Sequence, residues 1–331
     1  MSPQFVDFDA DGRLDLVAAT FDGSPKWARG TAAGFEQPVH VLDRDGARIV
    51  MNAWWNFDAK KWDATTRCDP PGAADGHLTS AWACDFDFDG DLDLLLGDHR
   101  AGQVMWRRND GTSARPQFAP QNELVQADGK PLVVPGTVTT LRLADVDRDG
   151  RDDLVVGSMG DAYGDAPGGG VTVHLDGGDG KVRRFGPPIV WVEPSAKGQA
   201  APTRPDSGLY MDVVDHDADG DLDLVVGAYS HWTPPVPQLT AAQQQRAAEL
   251  QRQLEALEQK VEAIYAELDR ATATLAEAER DAKFRELLSA RQPELKGLSE
   301  QRAAAERELD PLVPGVKRQS FVWLYENVTP K

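Results

Sequence analysis

The sequence has little of what zinc proteins, membrane proteins and nucleic-acid-binding proteins need. Its 331 residues include 2 cysteines, Cys68 and Cys84, and no Cys/His pattern with zinc spacing. No apolar run reaches about 18 residues, so no transmembrane helix is predicted. Lysine and arginine (35) are outnumbered by aspartate and glutamate (54), and the net charge of −19 argues against a nucleic-acid partner.

Catalytic motifs are equally scarce. The sequence contains no G-x-S-x-G, no H-E-x-x-H and no phosphate-binding G-x-x-x-x-G-K-[ST], and its 6 histidines are scattered. Cys68 and Cys84 can pair if the chain between them folds back, or both can stay reduced, and two cysteines do not decide the compartment. The opening MSPQFVDFD contains no signal peptide, and we expect the natural start to lie upstream.

What the chain does have is one acidic pattern in four copies. D-x-D-x-D-G-x-x-D begins at Asp7, Asp85, Asp145 and Asp215, and each copy runs into an apolar stretch such as LDLLLG. Ca²⁺ takes six to eight oxygens at roughly 2.3–2.6 Å, and alternate aspartates in a tight loop can supply them. The glycine permits the sharp turn that such a loop needs.

Each copy therefore predicts a calcium site built from four aspartates and one backbone carbonyl. The predicted ligands are Asp7, Asp9, Asp11, Asp15 and the carbonyl of Arg13; Asp85, Asp87, Asp89, Asp93 and the carbonyl of Asp91; Asp145, Asp147, Asp149, Asp153 and the carbonyl of Arg151; and Asp215, Asp217, Asp219, Asp223 and the carbonyl of Asp221. Four bound Ca²⁺ would reduce the net charge from −19 to −11. The alternative interpretation is a set of aspartate-rich turns without metal.

The residues at the twelfth position exclude the helix-flanked type of calcium loop. That loop needs a bidentate glutamate there, whereas this chain has Ala18, Leu96, Val156 and Val226. The short apolar runs that follow, which end in glycine in three of the four copies, are typical of buried strands. The predicted unit is strand, calcium loop, strand.

With their flanking strands, these loops resemble the FG-GAP or VCBS repeat, the blade of integrin-α-like β-propellers. The resemblance continues in VMWRRNDGT with Phe118, VTVHLDGGDG with Phe185, the closing FVWLYENV, and a looser KWARGTAAGF ending at Phe35. It covers nearly everything outside residues 238–311. It implies an all-β propeller of four-stranded blades, with four recognisable repeats, and about four structural Ca²⁺ ions. Because some similar propellers belong to polysaccharide lyases, a lyase-like enzyme is an alternative that rests on fold analogy alone.

Residues 238–311 differ completely in composition from the rest. Leu250, Leu254, Leu257, Val261, Ile264, Leu268 and Leu275 follow a heptad spacing, and a second apolar arm follows before FVWLYENV. We therefore expect blades 1–3 and the start of blade 4 in residues 1–237, an antiparallel helical hairpin in 238–311 with its tip near 270–283, and the closing strand of blade 4 in 312–331. The hairpin either pairs with a second copy of the chain, or its two helices bury their apolar seams against each other.

Residues 46–83 are expected to be irregular and are rich in aromatic side chains. Trp54, Trp55 and Trp62 can stack on a glycan or dock a protein, or they can fill the gap between blades. Taken together, the sequence predicts a non-catalytic binding or scaffold protein that is extracellular, periplasmic or on the cell surface, where calcium is abundant.

Overall fold

The computed structural model describes residues 3–137, 139–161 and 166–328. Its β-rich part begins with a four-stranded antiparallel sheet in the order β1-β2-β3-β6. The bounds of the elements up to the second sheet are β1 Gln4–Val6, β2 Asp15–Ala19, β3 Pro25–Ala28, β4 Gly30–Thr31, β5 Gly34–Phe35, β6 Val39–His40, β7 Trp54–Asn56 and β8 Lys61–Asp63. The pairs β4-β5 and β7-β8 are two-stranded ribbons. The second ribbon lies in the segment that the sequence predicts to be irregular.

The second and third sheets repeat the first. The second has the order β12-β11-β10-β9, with β9 Leu78–Cys84, β10 Asp93–Asp98, β11 Val104–Arg107 and β12 Glu123–Leu124, and it is followed by the ribbon of β13 Gln126–Ala127 and β14 Lys130–Pro131. The third has the order β15-β16-β17-β18, with β15 Thr139–Ala144, β16 Asp153–Ser158, β17 Val171–His174 and β18 Ile189–Val192. Neighbouring strands in both sheets are antiparallel.

The fourth sheet differs from the first three in its number of strands. Within the described residues it has three, in the order β19-β20-β21, with β19 Ser207–Val214, β20 Asp223–Trp232 and β21 Lys317–Tyr325. The fold is therefore mostly β, with several four-stranded antiparallel sheets, and the uniform four-stranded repeat holds for three sheets out of four.

Successive sheets pack face to face, and the cores lie between them. One buried cluster joins the first two sheets through Val17 and Leu94, and another joins the second and third through Leu95 and Val156. The third and fourth sheets share a cluster around Val155 and Val226. The second strands of the second and third sheets, β10 and β16, are consequently buried on both faces, which explains their continuous apolar runs.

Gly157, which ends the apolar run of β16, allows close packing of the next sheet. A Cβ at Gly157 would lie 2.5 Å from the carbonyl oxygen of Leu209, on β19, and 2.6 Å from Oγ1 of Thr140. A larger residue at this position would therefore force the third and fourth sheets apart.

Residues 199–201 and 232–317 form a compact unit separate from the one that holds the sheets. It contains helices α1 (Ala241–Thr272) and α2 (Glu277–Leu309), which lie in the chain between β20 and β21. Thr240 caps α1 in a reciprocal capping box with Gln243. The helix α2 continues through Pro293 as a single element.

The two helices form an antiparallel hairpin. Arg246 near the start of α1 pairs with Glu308 near the end of α2 at 2.7 Å, and Arg291 pairs with Glu267 at 2.6 Å. The apolar seam is buried within the hairpin, where Leu257, Ile264 and Leu298 pack together. Leu275, which the heptad spacing assigns to the seam, lies in the turn between the helices instead. Among the described residues no helix is long and apolar enough to span a membrane.

Candidate metal centre

The four acidic loops adopt one conformation, which two left-handed residues define. The glycine at the sixth position has φ between 86° and 92°, and the residue at the fourth position has φ between 55° and 63° although it carries a side chain. The fourth-position residues are Ala10, Phe88, Arg148 and Ala218. A non-glycine residue pays for the left-handed conformation, so its occurrence at the same place in four loops indicates that the surrounding bonds impose it.

The first aspartate of each loop folds the chain over its own carboxylate. Asp7 accepts hydrogen bonds from the N–H groups of Asp11 (3.0 Å) and Gly12 (2.9 Å). Asp85 does the same with Asp89 and Gly90, both at 3.1 Å. Asp145 follows the same pattern, and Asp215 accepts from Gly220. These bonds close the loop into a ring of inward-facing oxygens.

The third aspartate of each loop makes a smaller turn with the seventh residue. Its Oδ1 accepts the N–H two residues later, from Arg13, Asp91, Arg151 or Asp221, at 3.0 Å in each loop. The side chains of Arg13 and Arg151 also form ion pairs with Asp11 and Asp149. The sequence predicts that the seventh residue supplies a carbonyl ligand. In the structure its backbone N–H also stabilises the loop, and Arg13 and Arg151 add an ion pair.

The fourth aspartate has a structural role that the spacing alone does not reveal. It is buried in all four loops, and each of its two oxygens accepts a backbone N–H. In the second loop Asp93 accepts from Phe86, next to the first aspartate, at 3.3 Å, and from Asn109, just past β11, at 2.6 Å. The corresponding donors are Phe8 and Gly30 to Asp15, Val146 and Asp176 to Asp153, and His216 and Asn327 to Asp223. The carboxylate thus ties the start of the loop to the end of the third strand.

Three carboxylates converge in every loop. In each group the contributing oxygens lie within 4.8 Å of one another, and the groups are Asp7, Asp9 and Asp15; Asp85, Asp87 and Asp89; Asp145, Asp147 and Asp153; and Asp215, Asp217 and Asp223. The first two aspartates of each loop belong to every group. The second loop supplies its third aspartate, and the others supply their fourth.

The oxygens of these loops fit a hard cation. Oδ1 of Asp9 and Oδ1 of Asp87 are buried and accept no hydrogen bond from the described residues. Burial and the neighbouring Asp89 raise the pKa of Asp87, and burial raises the pKa of Asp93 to about 7. Unsatisfied, clustered carboxylate oxygens without nitrogen or sulfur donors are what Ca²⁺ binds.

Charge neutralisation differs between the first two loops. Arg29 reaches into the first loop, where its guanidinium lies 2.8 Å from Asp9 and 3.1 Å from Asp11. In the second loop the seventh residue is Asp91, and burial together with Asp89, Asp87 and Asp85 raises its pKa to about 6. The second loop is therefore the more acidic of the two.

Comparison with protein families identifies part of this arrangement. The FG-GAP-like repeat family matches residues 85–156, which run from the second acidic loop to β16. Residues 85–156 form an FG-GAP-like repeat. The acidic clusters are consistent with the calcium-binding loops of FG-GAP-like repeats, as the sequence predicts. No curated protein matches the chain.

Outside the FG-GAP-like repeat, the tryptophans proposed as a ligand site lie on the β7-β8 ribbon. Trp55 pairs with Trp62 across the ribbon, with ring centroids 5.7 Å apart, and Trp62 lies 4.4 Å from His77. His77 in turn lies 4.5 Å from His99, and burial lowers its pKa to about 4, so it is neutral at pH 7. Trp54 is set apart from this row, because its ring is covered by the guanidinium of Arg48 at 4.0 Å.

Both cysteines are free. Cys68 is buried and its Sγ donates to the carbonyl of Arg48, while Cys84 lies at the end of β9 opposite Asp93. Burial raises the pKa of the Cys84 thiol, which keeps it protonated and unreactive. The sequence leaves open whether the two cysteines form a disulfide or stay reduced, and in the structure both are reduced.

Proposed function

We propose that this chain is a non-catalytic binding or scaffold protein whose sheets are the blades of a β-propeller held by four structural Ca²⁺ ions. One observation carries the proposal: four loops share the same left-handed positions, a first aspartate that accepts the N–H of the loop glycine, and a convergence of three carboxylates. Asp-rich turns that served only as connections would have no reason to repeat this arrangement four times.

The role of the metal follows from where each loop is bonded. The loop joins the first and second strands of its sheet, and its fourth aspartate holds the end of the third strand. Bound Ca²⁺ would neutralise the clustered carboxylates and fix the loop. The residues of the loop then keep three strands in register, which is a structural task.

A ligand would bind on the exposed aromatic row. Trp62 lies between Trp55 and His77 in the row of Trp55, Trp62, His77 and His99, and it is still 44% exposed. Trp54 is covered by Arg48 and is a poorer candidate. Planar rings of this kind bind sugar faces or protein side chains. The hairpin is less suited to self-association, because its apolar seam is buried within itself.

Calcium titration of the purified chain tests the proposal. Calorimetry after exhaustive chelation should give about four binding events, and chelation should lower the melting temperature by at least about 10 °C, since millimolar Ca²⁺ stabilises any protein that binds it in the folded state alone. Mg²⁺ at the same concentration is the control. A melting temperature that does not change on chelation would reject a structural metal.

Ligand binding is tested separately with a glycan array and the variants Trp62→Ala and Trp54→Ala. Trp62→Ala should abolish binding, and Trp54→Ala, whose ring is already covered, should leave most of it. Equal losses in the two variants would contradict the assignment of the aromatic row.

A further inference from the structure

Three basic side chains surround one oxygen of a buried aspartate beside the first sheet. Asp22 lies in the turn between β2 and β3, and its side chain is 4% exposed. Its Oδ2 lies 3.5 Å from Nζ of Lys26, 3.6 Å from Nε2 of His40 and 3.7 Å from a guanidinium nitrogen of Arg48. Lys26 on β3 and His40 on β6 are register partners, and Arg48 lies between β6 and β7. We call Lys26, His40 and Arg48 the basic cluster.

The buried aspartate does not by itself require three basic neighbours. Oδ1 of Asp22 already accepts hydrogen bonds from the hydroxyl of Thr20 and the N–H of Ser24. The second sheet has a comparable aspartate, Asp98, which is also buried and lies at the end of β10. Each oxygen of Asp98 accepts a backbone N–H from the turn that follows, and among the described residues no basic side chain lies within 4.0 Å of it. The basic cluster therefore exceeds what its aspartate needs.

The donors of the basic cluster are available to a ligand. Distances of 3.5–3.7 Å to Asp22 are longer than ordinary hydrogen bonds. Within the described part of the chain, the ammonium of Lys26 and the guanidinium of Arg48 donate no hydrogen bond to another residue, and Nδ1 of His40 is buried without a partner. The side chains of Lys26 and Arg48 are 30% and 31% exposed, so an ion from solvent can reach them.

Trp54 holds the guanidinium of Arg48 in a fixed plane. The Cζ atom of Arg48 lies 4.0 Å from the centroid of the Trp54 ring. A stacked guanidinium keeps its N–H edge free, and that edge matches a planar carboxylate with two parallel hydrogen bonds. Trp54 and Trp55 are neighbours on β7, and neighbouring side chains of a strand point to opposite faces. The basic cluster is therefore separate from the aromatic row that contains Trp55.

Charge complementarity defines the ligand. Lys26 and Arg48 carry two positive charges and Asp22 carries one negative charge, which leaves one positive charge uncompensated. Among the described residues Asp22 is the one acid that acts on His40, so no second acid neutralises the cluster. We propose that the basic cluster binds a singly charged oxyanion, the carboxylate of an acidic sugar or of another organic acid. Arg48 would hold both carboxylate oxygens, and Lys26 would donate to one of them.

His40 makes this binding depend on pH. Burial lowers the pKa of His40, as do the positive charges of Arg48 and Lys26, and the charge of the aspartate beneath them acts in the opposite direction. A bound carboxylate favours the protonated imidazole, so binding takes up a proton. Affinity should therefore rise as pH falls from about 7 to about 5, and it should be lost below about pH 4, where the ligand itself becomes protonated.

An NMR titration of the whole chain with sodium D-glucuronate in calcium buffer tests the proposal. The imidazole resonances of His40 and the indole N–H of Trp54 should shift saturably at millimolar concentration, and D-glucose, which has no charge, should leave them in place. Acetate that binds as well as glucuronate would assign the site to the carboxylate alone, whereas tighter binding of glucuronate would assign it to an acidic sugar. Equal shifts from glucuronate and from sodium chloride at the same ionic strength would overturn the proposal.

Variants of the basic cluster locate the site. Arg48→Gln should weaken glucuronate binding at least about tenfold, because it removes a charge and the bidentate donor, and Arg48→Lys should restore only part of the loss. Lys26→Gln, at a partly exposed position, should weaken binding about threefold. Arg44→Gln removes a charge outside the cluster and is the matched control, which should bind normally. Unchanged binding by both Arg48→Gln and Lys26→Gln would overturn the proposal.

Two further variants distinguish a ligand site from a purely structural ion network. Asp22→Asn should bind glucuronate more tightly, because the amide removes the negative charge that competes with the ligand. His40→Gln should still bind at pH 7 and should lose the gain in affinity at pH 5, as followed by the indole N–H of Trp54. Weaker binding by Asp22→Asn, or a gain at pH 5 that persists in His40→Gln, would contradict the assignment.

Discussion

The first and second acidic loops have the same backbone and different charges. Both fold over their first aspartate and bury their fourth, but Arg29 pairs with two carboxylates of the first loop, whereas the seventh residue of the second is a further aspartate. Among the described residues no ion pair within 4.0 Å involves Asp85, Asp87 or Asp89. The comparison teaches that the loop shape is encoded by aspartate and glycine, and that the surrounding cations set how much negative charge each loop leaves uncompensated.

The largest expected effect is one that the two loops share. Asp93→Asn in the second loop, and Asp15→Asn in the first, should each lower the free energy of unfolding by about 2 kcal/mol, because an amide can accept only one of the two buried N–H groups. Urea unfolding in calcium buffer measures it. Asp45→Asn, on an exposed turn, is the control and should change little. A loss confined to one loop would show that the fourth aspartate is not a common brace.

Calcium affinity should separate the two loops. We expect the second loop to bind Ca²⁺ about tenfold more tightly than the first, because no guanidinium has to be displaced from its oxygens. Asp87→Asn should therefore remove the tightest step of a calorimetric titration, and Asp9→Asn should remove a weaker one. The expectation fails if Asp9→Asn abolishes the tightest step.

The metal-free protein should respond to pH in the opposite sense to the calcium-bound one. Asp91 and Asp93 have pKa values of about 6 and about 7 when folded, above the usual value near 4, so the folded state binds more protons between about pH 4 and pH 7. Without metal, stability should fall by about 1 kcal/mol as pH rises through this window. With Ca²⁺ bound the carboxylates are ionised, so acidification should destabilise the protein.

Thermal melts at several pH values, with calcium and with chelator, measure these slopes. Asp91→Asn should flatten the metal-free slope, and Asp45→Asn should not. A metal-free stability that rises with pH would contradict the raised pKa values of the second loop.

The smallest effect is a gain. Arg29→Gln should raise the calcium affinity of the first loop about threefold by freeing Asp9 and Asp11, bringing it closer to the second loop. Arg44→Gln, which breaks a surface pair with Asp110, is the matched control. Terbium luminescence with the two variants reads the difference, and a weaker first site in Arg29→Gln would show that the arginine helps to shape the loop.

Local sequence patterns are sufficient to predict the acidic loops, but not the contacts that connect each loop to other strands. Aspartate spacing and glycine predict four acidic turns followed by buried strands, because every bond that shapes the turn is made within nine residues. The hydrogen bond from the N–H of Asn109 to Asp93 could not be predicted in the same way, since it depends on a contact with the end of another strand. The sequence predicts irregular structure where the strand Trp54–Asn56 lies, because the same segment contains the turn-forming residues Pro70, Pro71 and Gly72.

Phe118 and Phe185, each in the turn after the third strand of its sheet, bear on how the chain is made. Phe118 belongs to the core between the first two sheets and Phe185 to the next core, so each core receives its phenylalanine only after three strands of the later sheet have left the ribosome. A nascent chain would therefore carry one unsealed apolar face at every stage of translation, and folding would advance from the N-terminal sheet one interface at a time.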